Sequence, residues 1–202
     1  MLANRKKNIT KSVKPFGMKV SYRKKESYSE EELILRAKKN PAHFDALYKK
    51  YYKDIFIYIH RRVDRESLAA DLAQDTFIKA LTNIEKFEYR GMPFSSWLYR
   101  IAINQINQHY RSNHSKRVVS VEVPDVREDF EIDDMSVNKE KLMTAMIEEI
   151  NQLKGDDLIL IEMHFFEKKS YKEICSILDI KEGNAKVKVH RIKERIRKKV
   201  IK

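Results

Sequence analysis

Eight residues, four Gly and four Pro, are all the strong helix breakers this 202-residue chain contains. Pro15 and Gly17, Pro41, Gly91 and Pro93, Pro124, Gly155 and Gly183 each fall between helical stretches or at a helix edge. Pro removes a helix donor and Gly relaxes the backbone, so long uninterrupted segments lie free to coil. The longest run of alternating β-branched residues is VVSVEV at 118–123. A half-buried sheet would need many such runs. The expected fold class is therefore all-α.

Capping signals place the helices. SEEE at 29–32 is a capping box, with Ser29 as N-cap and Glu32 at N3, flanked by Tyr28 and Leu33 at staple positions. Asn40 and Pro41 open the next helix as N-cap and N1, and Phe44, Leu47, Tyr48, Tyr51, Ile55 and Ile59 recur along it at helical spacing. Asp64 or Ser67 is expected to start a third helix running to about Ile84. EYRGMP at 88–93 breaks the pattern, and a helix from about Phe94 to Arg111 follows. Periodicity resumes near Lys139, where Met143, Met146, Ile147, Ile150 and Leu153 mark one helix ended by Gly155. A helix over about 156–166 comes next. Ser170 and Glu173 form another capping box, opening a short helix through Leu178. The turn DIKEG leads to a last helix from about Gly183.

Charge divides the chain the same way. The net charge is +12, so the surface attracts polyanions: nucleic acid first, an anionic membrane second. Residues 1–27 carry nine Lys/Arg against one acid and read as a solvated tail, with a supplementary nucleic-acid or membrane contact as the alternative. Residues 120–136 carry seven acids against one base and lie in a linker, 113–138. Two helical domains, 28–112 and 139–202, flank it. No apolar run has the roughly 18 residues a membrane span needs, and the N-terminus lacks the apolar core of a signal peptide. The single Cys175 excludes an internal disulfide framework and suits a reducing cytoplasm, and its place between Ile174 and Ile177 reads as core.

The last helix has a core stripe of Ala185, Val189, Ile192 and Ile196. Asn184, Lys188, Arg191 and Arg195 form a second stripe, and Lys186, His190 and Lys193 flank the other side. Residues 181–202 hold ten bases against two acids, too lopsided for a salt-bridged solvent face. A short helix, tight turn and long basic helix make a helix-turn-helix, whose second helix suits a major groove.

WLYRIAINQINQHYR at 97–111 has two faces. At 100° per residue, Phe94, Trp97, Leu98 and Ile101 cluster on one side. Arg100, Asn104, Asn107 and Arg111 align on another, with Gln108 at the border. Guanidinium and carboxamide groups in a row suit phosphates and base edges. Phe87, Tyr89 and Phe94 surround the RGMP break before it, as a base-stacking loop would need. An ordinary amphipathic helix with its aromatics in the core fits the same residues. In the preceding helix Ala69, Ala73, Phe77 and Ala80 form a packed face, and Asp71, Gln74, Asp75 and Ile78 lie opposite. Acids beside an exposed Ile fit either a protein-binding patch or a solvated surface.

Three segments together resemble a bacterial sigma factor of the extracytoplasmic-function class. AADLAQDTFIKAL resembles that family's region 2.2, FEYRGMPFSSWLYRIAINQINQHYR its regions 2.3 and 2.4, and SYKEICSILDIKEGNAKVKVHRIKERIR its region 4.2. The match spans about 30–112 and 139–200 in the family's order. The resemblance implies partners: core RNA polymerase, through the β′ clamp helices and the β flap, promoter DNA, and an anti-sigma factor. Asp71, Gln74, Asp75 and Ile78 would meet β′. Asn104 and Gln108 would read the unpaired −10 strand, with Arg100, Asn107 and Arg111 beside them. The loop with Phe87, Tyr89, Arg90 and Phe94 would receive a flipped base. Asn184, Lys186, Val187, Lys188, His190, Arg191 and Arg195 would face the −35 duplex. The acidic linker would run near the RNA exit path. Ser96 before a lone Trp97 departs from the paired wedging aromatics of housekeeping sigma factors. Asn184 and Val187 stand where the family often has Thr and Ser, and Lys181 replaces a Ser or Thr cap.

No Gly-rich phosphate loop, HExxH or paired metal-ligand spacing occurs, so neither an enzyme nor a cofactor is expected. The rival reading is a two-domain regulator that binds duplex DNA without polymerase.

Overall fold

The computed structural model describes residues 28–89, 91–113, 139–153 and 155–200. The basic tail, Arg90 and the acidic linker lie outside them. Among the described residues the chain is helical and contains no strand. Helix α1 spans Glu30–Lys39 and opens on the Ser29–Glu32 capping box. Asn40 Oδ1 accepts from the Ala42 N–H and starts a 3-10 turn, Pro41–Phe44, that runs into α2, Asp45–His60. Helix α3, Glu66–Thr82, follows, then a 3-10 turn, Ile84–Lys86, and α4, Phe94–Asn113. The second unit holds α5, Lys139–Gln152, α6, Gly155–Ile161, α7, Tyr171–Leu178, and α8, Glu182–Val200. None of these helices is long and apolar enough to cross a membrane.

Three local expectations need correction. Helix α3 is capped by neither Asp64 nor Ser67: Arg65 holds the N-cap position, with no side-chain cap bond. Gly155 does not follow α5 directly. It opens α6 in the left-handed region, φ +56. Ile147 is exposed rather than core, while Ile150 and Leu153 of the same stripe are buried. The side chains of Met143, Met146 and Ile196 lie outside the description. Helix α6 also continues to Phe166 as a π-helical turn, Glu162–Phe166, a widening that periodicity cannot foretell.

Helix α4 holds the molecule together. It packs on α2 and α3 on one side and on α7 on the other. Leu98, Tyr99, Ala102, Ile103, Gln105 and Ile106 are all buried, more than an amphipathic wheel would bury, because two partners cover it. Its start is tied to α1. Glu30 Oε2 accepts the Phe94 N–H at 2.8 Å, while Glu30 Oε1 accepts from Lys50 at 3.0 Å and from the Tyr51 hydroxyl. One carboxylate thus satisfies a donor at the α4 N-terminus and fixes where the break ends and the helix begins.

Candidate nucleic-acid and polymerase interfaces

Between the end of α3 and the middle of α4 lies a cleft of about 390 Å³. Lys79, Asn83 and Lys86 line one wall, and Trp97, Ile101, Asn104, Gln105 and Gln108 the other. Gln105 is buried, and its carboxamide oxygen accepts from the Lys79 ammonium. That contact pins a carboxamide at the cleft floor and leaves its NH₂ as a donor. Lys86 reaches the Asn83 side chain at 3.4 Å. The cleft therefore offers an indole and an aliphatic wall, four carboxamides and two ammonium groups, a lining that suits a stacked base with its phosphate.

The structure splits the polar stripe of α4. Asn104 and Gln108, one turn apart, enter the cleft lining; Asn107, half-buried, and Arg111, exposed, do not. Arg100 turns the other way, toward Asp179 at 3.7 Å, a solvated contact of little strength. Of the loop aromatics, Tyr89 is exposed and Phe87 half-buried, its ring 5.0 Å from Trp97. Phe94 cannot receive a base. It is fully buried, with its ring against Phe44, Tyr51, Phe87 and Trp97, because the first turn of α4 inserts into the α1–α2 packing. The spacing sets Phe94 beside the loop but does not show which side of the helix start faces inward. Arg90 is not among the described residues. Lys79 lies in the last turn of α3, Asn83 caps its C-terminus and Lys86 belongs to the 3-10 turn after it, so no single helix wheel groups the three.

On α3 the packed face is Ala69, Leu72, Ala73, Thr76, Phe77 and Ala80, all buried. Asp71, Gln74, Asp75 and Ile78 are all exposed, and Ile78 leaves 57% of its surface in solvent. The acids and the lone aliphatic share one face, open to a partner.

The helix-turn-helix consists of α7, a turn and α8. Ser170 and Glu173 form the capping box of α7, and Asp179 caps its C-terminus in the left-handed region, φ 58, a conformation Asp tolerates. Ala185, Val189 and Ile192 pack α8 inward. The basic residues divide into two kinds. Lys188 is held by Asp157 at 2.6 Å and Arg195 by Glu149 at 3.2 Å, while Arg191 lies 3.9 Å from Asp157. These contacts tie one flank of α8 to α5 and α6. On the opposite flank Lys186 pairs with Glu182 at 2.6 Å, which raises the lysine pKa. The outward face is Asn184, Val187, His190 and Arg191, with Val187 at 68% exposure. The sequence stripe of Asn184, Lys188, Arg191 and Arg195 is thus divided: Lys188 and Arg195 lie on a flank held by the acids of α6 and α5, while Asn184 and Arg191 stay exposed on the front. Cys175 is half-buried, and burial together with nearby Glu182 pushes its thiol pKa up. Among the described residues no group of three or more His, Cys, Asp or Glu could hold a metal ion.

Comparison with known proteins agrees with this layout. Sigma-70 region 2 matches residues 47–116 and Sigma-70, region 4 matches residues 143–196. The RNA polymerase sigma-H factor of Pseudomonas aeruginosa is 32% identical over 165 residues, 77% of this chain and 84% of that protein. The ECF RNA polymerase sigma factor SigW of Bacillus subtilis is 29% identical, over 74% of this chain and 84% of that one. The ECF RNA polymerase sigma factor BldN of Streptomyces coelicolor is 29% identical over 79% of this chain, and the match spans 61% of that longer protein. Among solved structures, CnrH in complex with the cytosolic domain of CnrY shares the fold at a TM-score of 0.55 and 18% identity, over 83% of this chain and 94% of that one. Two sigma regions matched in chain order, and a relative above 30% identity matched over most of its length, establish the family. The chain belongs to the sigma-70 family of RNA polymerase sigma factors, in its extracytoplasmic-function class.

Proposed function

We propose that the chain joins core RNA polymerase and directs promoter-specific initiation. Residues 28–112 act as region 2, 139–202 as region 4, and 113–138 as the acidic linker. In this reading Asp71, Gln74, Asp75 and Ile78 dock on β′. The cleft takes a base of the separated −10 strand, with Trp97 as stacking wall, Asn104 and Gln108 as hydrogen-bonding readers, and Lys79 and Lys86 near its phosphates. Asn184, Val187, His190 and Arg191 face the −35 major groove, and Lys186 meets a flanking phosphate. The observation that carries the reading is the cleft. A protein that bound only duplex DNA would have no use for a recess walled by an indole, lined by carboxamides and roomy enough for an unpaired base with its phosphate. Val187 has no donor or acceptor and suits a thymine methyl. An anti-sigma protein is a further partner to look for, since CnrH is solved bound to CnrY.

The test is transcription from a promoter library with purified core enzyme. The expected result is run-off product from a discrete promoter set, with weak duplex binding by the protein alone. Tight sequence-specific duplex binding without polymerase, together with no product, would favour the regulator instead.

A further inference from the structure

We propose that Arg62 is the bolt of a closed resting state, in which region 4 is locked onto region 2 and which must open before both promoter elements can be read. The inference rests on the function proposed above. Arg62 follows α2 and is only 2% exposed. Its Nε donates to Glu162 Oε2 at 3.0 Å, and its Nη1 to Glu167 Oε1 at 3.4 Å and to the Tyr58 carbonyl at 2.5 Å. The guanidinium lies 3.6 Å over the Tyr58 ring. Glu162 is fully buried. The two ends of the ion pair thus belong to different units and lie 100 residues apart in the chain. Around the bolt, Lys169 sits 4.7 Å over the Tyr99 ring, and Arg61 reaches Glu167 at 3.7 Å.

The closed state conflicts with promoter reading. Helix α7 packs on α4, the helix that carries the −10 readers, and Arg100 of α4 pairs with Asp179 in the helix-turn-helix turn. The first helix of such a motif must cross a DNA backbone, so this packing occupies a surface the duplex needs. Elements named for positions −10 and −35 lie about 25 base pairs apart, roughly 85 Å of B-DNA. A compact chain of this length has a radius of gyration of only about 17 Å. Two units in contact do not span that distance, so they part.

An ion pair suits such a bolt. Attraction in a dry interface is largely cancelled by the cost of drying both charges. Parting lets water reach the contact, so the net hold is small and the closure reversible. Removing one partner is different, because it strands the other charge inside the closed interface. Closure then becomes unfavourable by roughly 100-fold or more. Replacing both partners with apolar side chains removes the drying cost and restores closure.

Spin labels on cysteines replacing Lys53 of α2 and Lys172 of α7, both exposed, in a Cys175→Ser background, read the separation in the full chain. The expected result is one narrow distance peak for the parent and a broad, longer distribution for Arg62→Met. Glu162→Gln, which keeps the side-chain shape, opens the chain in the same direction, and it decides the matter if Arg62→Met loses helicity. Arg62→Met with Glu162→Leu returns the narrow peak. A broad parent distribution, an unchanged peak in both single variants, or a double variant as open as the singles would overturn the proposal. Neither DNA nor polymerase enters the measurement, so it can fail while the transcription assay succeeds, and the reverse.

Discussion

Replacing Phe94 separates a folding role from a DNA role at one position. The side chain is fully buried and touches four aromatic rings, at centroid distances of 5.1 Å to Phe87, 5.4 Å to Trp97, 6.0 Å to Tyr51 and 6.5 Å to Phe44. Burying a Phe side chain contributes about 1.5–3 kcal/mol by transfer alone. Phe94→Ala also leaves a cavity among rings that α4 holds in place, which brings the expected loss to about 3–5 kcal/mol. Against a total of about 5–15 kcal/mol, that is a large share. Phe94→Leu keeps most of the volume and should lose on the order of 1–2 kcal/mol. Urea titration of each variant, followed by far-UV circular dichroism, measures both losses. At temperatures where Phe94→Leu is fully folded, promoter opening should match the parent. A Phe94→Ala protein as stable as the parent, or a fully folded Phe94→Leu protein that no longer opens promoters, would refute the assignment of this ring to the core.

Three further outcomes are expected. Glu30→Gln weakens the contacts to Phe94, Lys50 and Tyr51 together; stability should fall by about 1–3 kcal/mol, with faster amide exchange at Phe94 in hydrogen-exchange measurements. Val187→Ala, on an exposed face, should change stability by less than about 0.5 kcal/mol. It should also cost on the order of 1 kcal/mol of preference for thymine in the −35 element, read by competition binding of the assembled holoenzyme. Asp71→Lys with Asp75→Lys should leave the melting temperature within a few degrees of the parent, since both acids are exposed. The same pair should weaken core-enzyme binding at least tenfold in a pull-down titration, and unchanged binding would remove α3 from the interface.

What the sequence makes legible here is whatever neighbouring residues determine. Both capping boxes, the Asn40–Pro41 opening and the packed face of α3 follow from contacts within a turn or two, and they are in place in the structure. What depends on a distant partner is not legible. Arg62 reads as an ordinary basic residue after a helix, because the carboxylate that buries it lies far along the chain. Glu30 reads as one more acid in a first turn, yet it positions α4. A wheel drawn on α8 alone groups Lys188 and Arg195 with its front, and the acids of α6 and α5 that hold them are invisible to that wheel. Likewise the cleft needs both α3 and α4, so Lys79 and Gln105 acquire meaning only when the helices meet. Gln108, at the border of the α4 stripe, lines the cleft and Asn107, at its centre, does not, because the neighbouring helix decides which face is open.

The central claim is that the cleft between α3 and α4 reads an unpaired −10 base. Permanganate reactivity of promoter thymines, measured beside holoenzyme recruitment to the same promoter, tests it most directly. Asn104→Ala and Gln108→Ala should each reduce −10 reactivity about tenfold, equivalent to about 1.4 kcal/mol and within the usual range for a lost base contact, while recruitment through the −35 element stays near the parent level. Equal loss of opening and recruitment, or full opening with either side chain removed, would contradict the account.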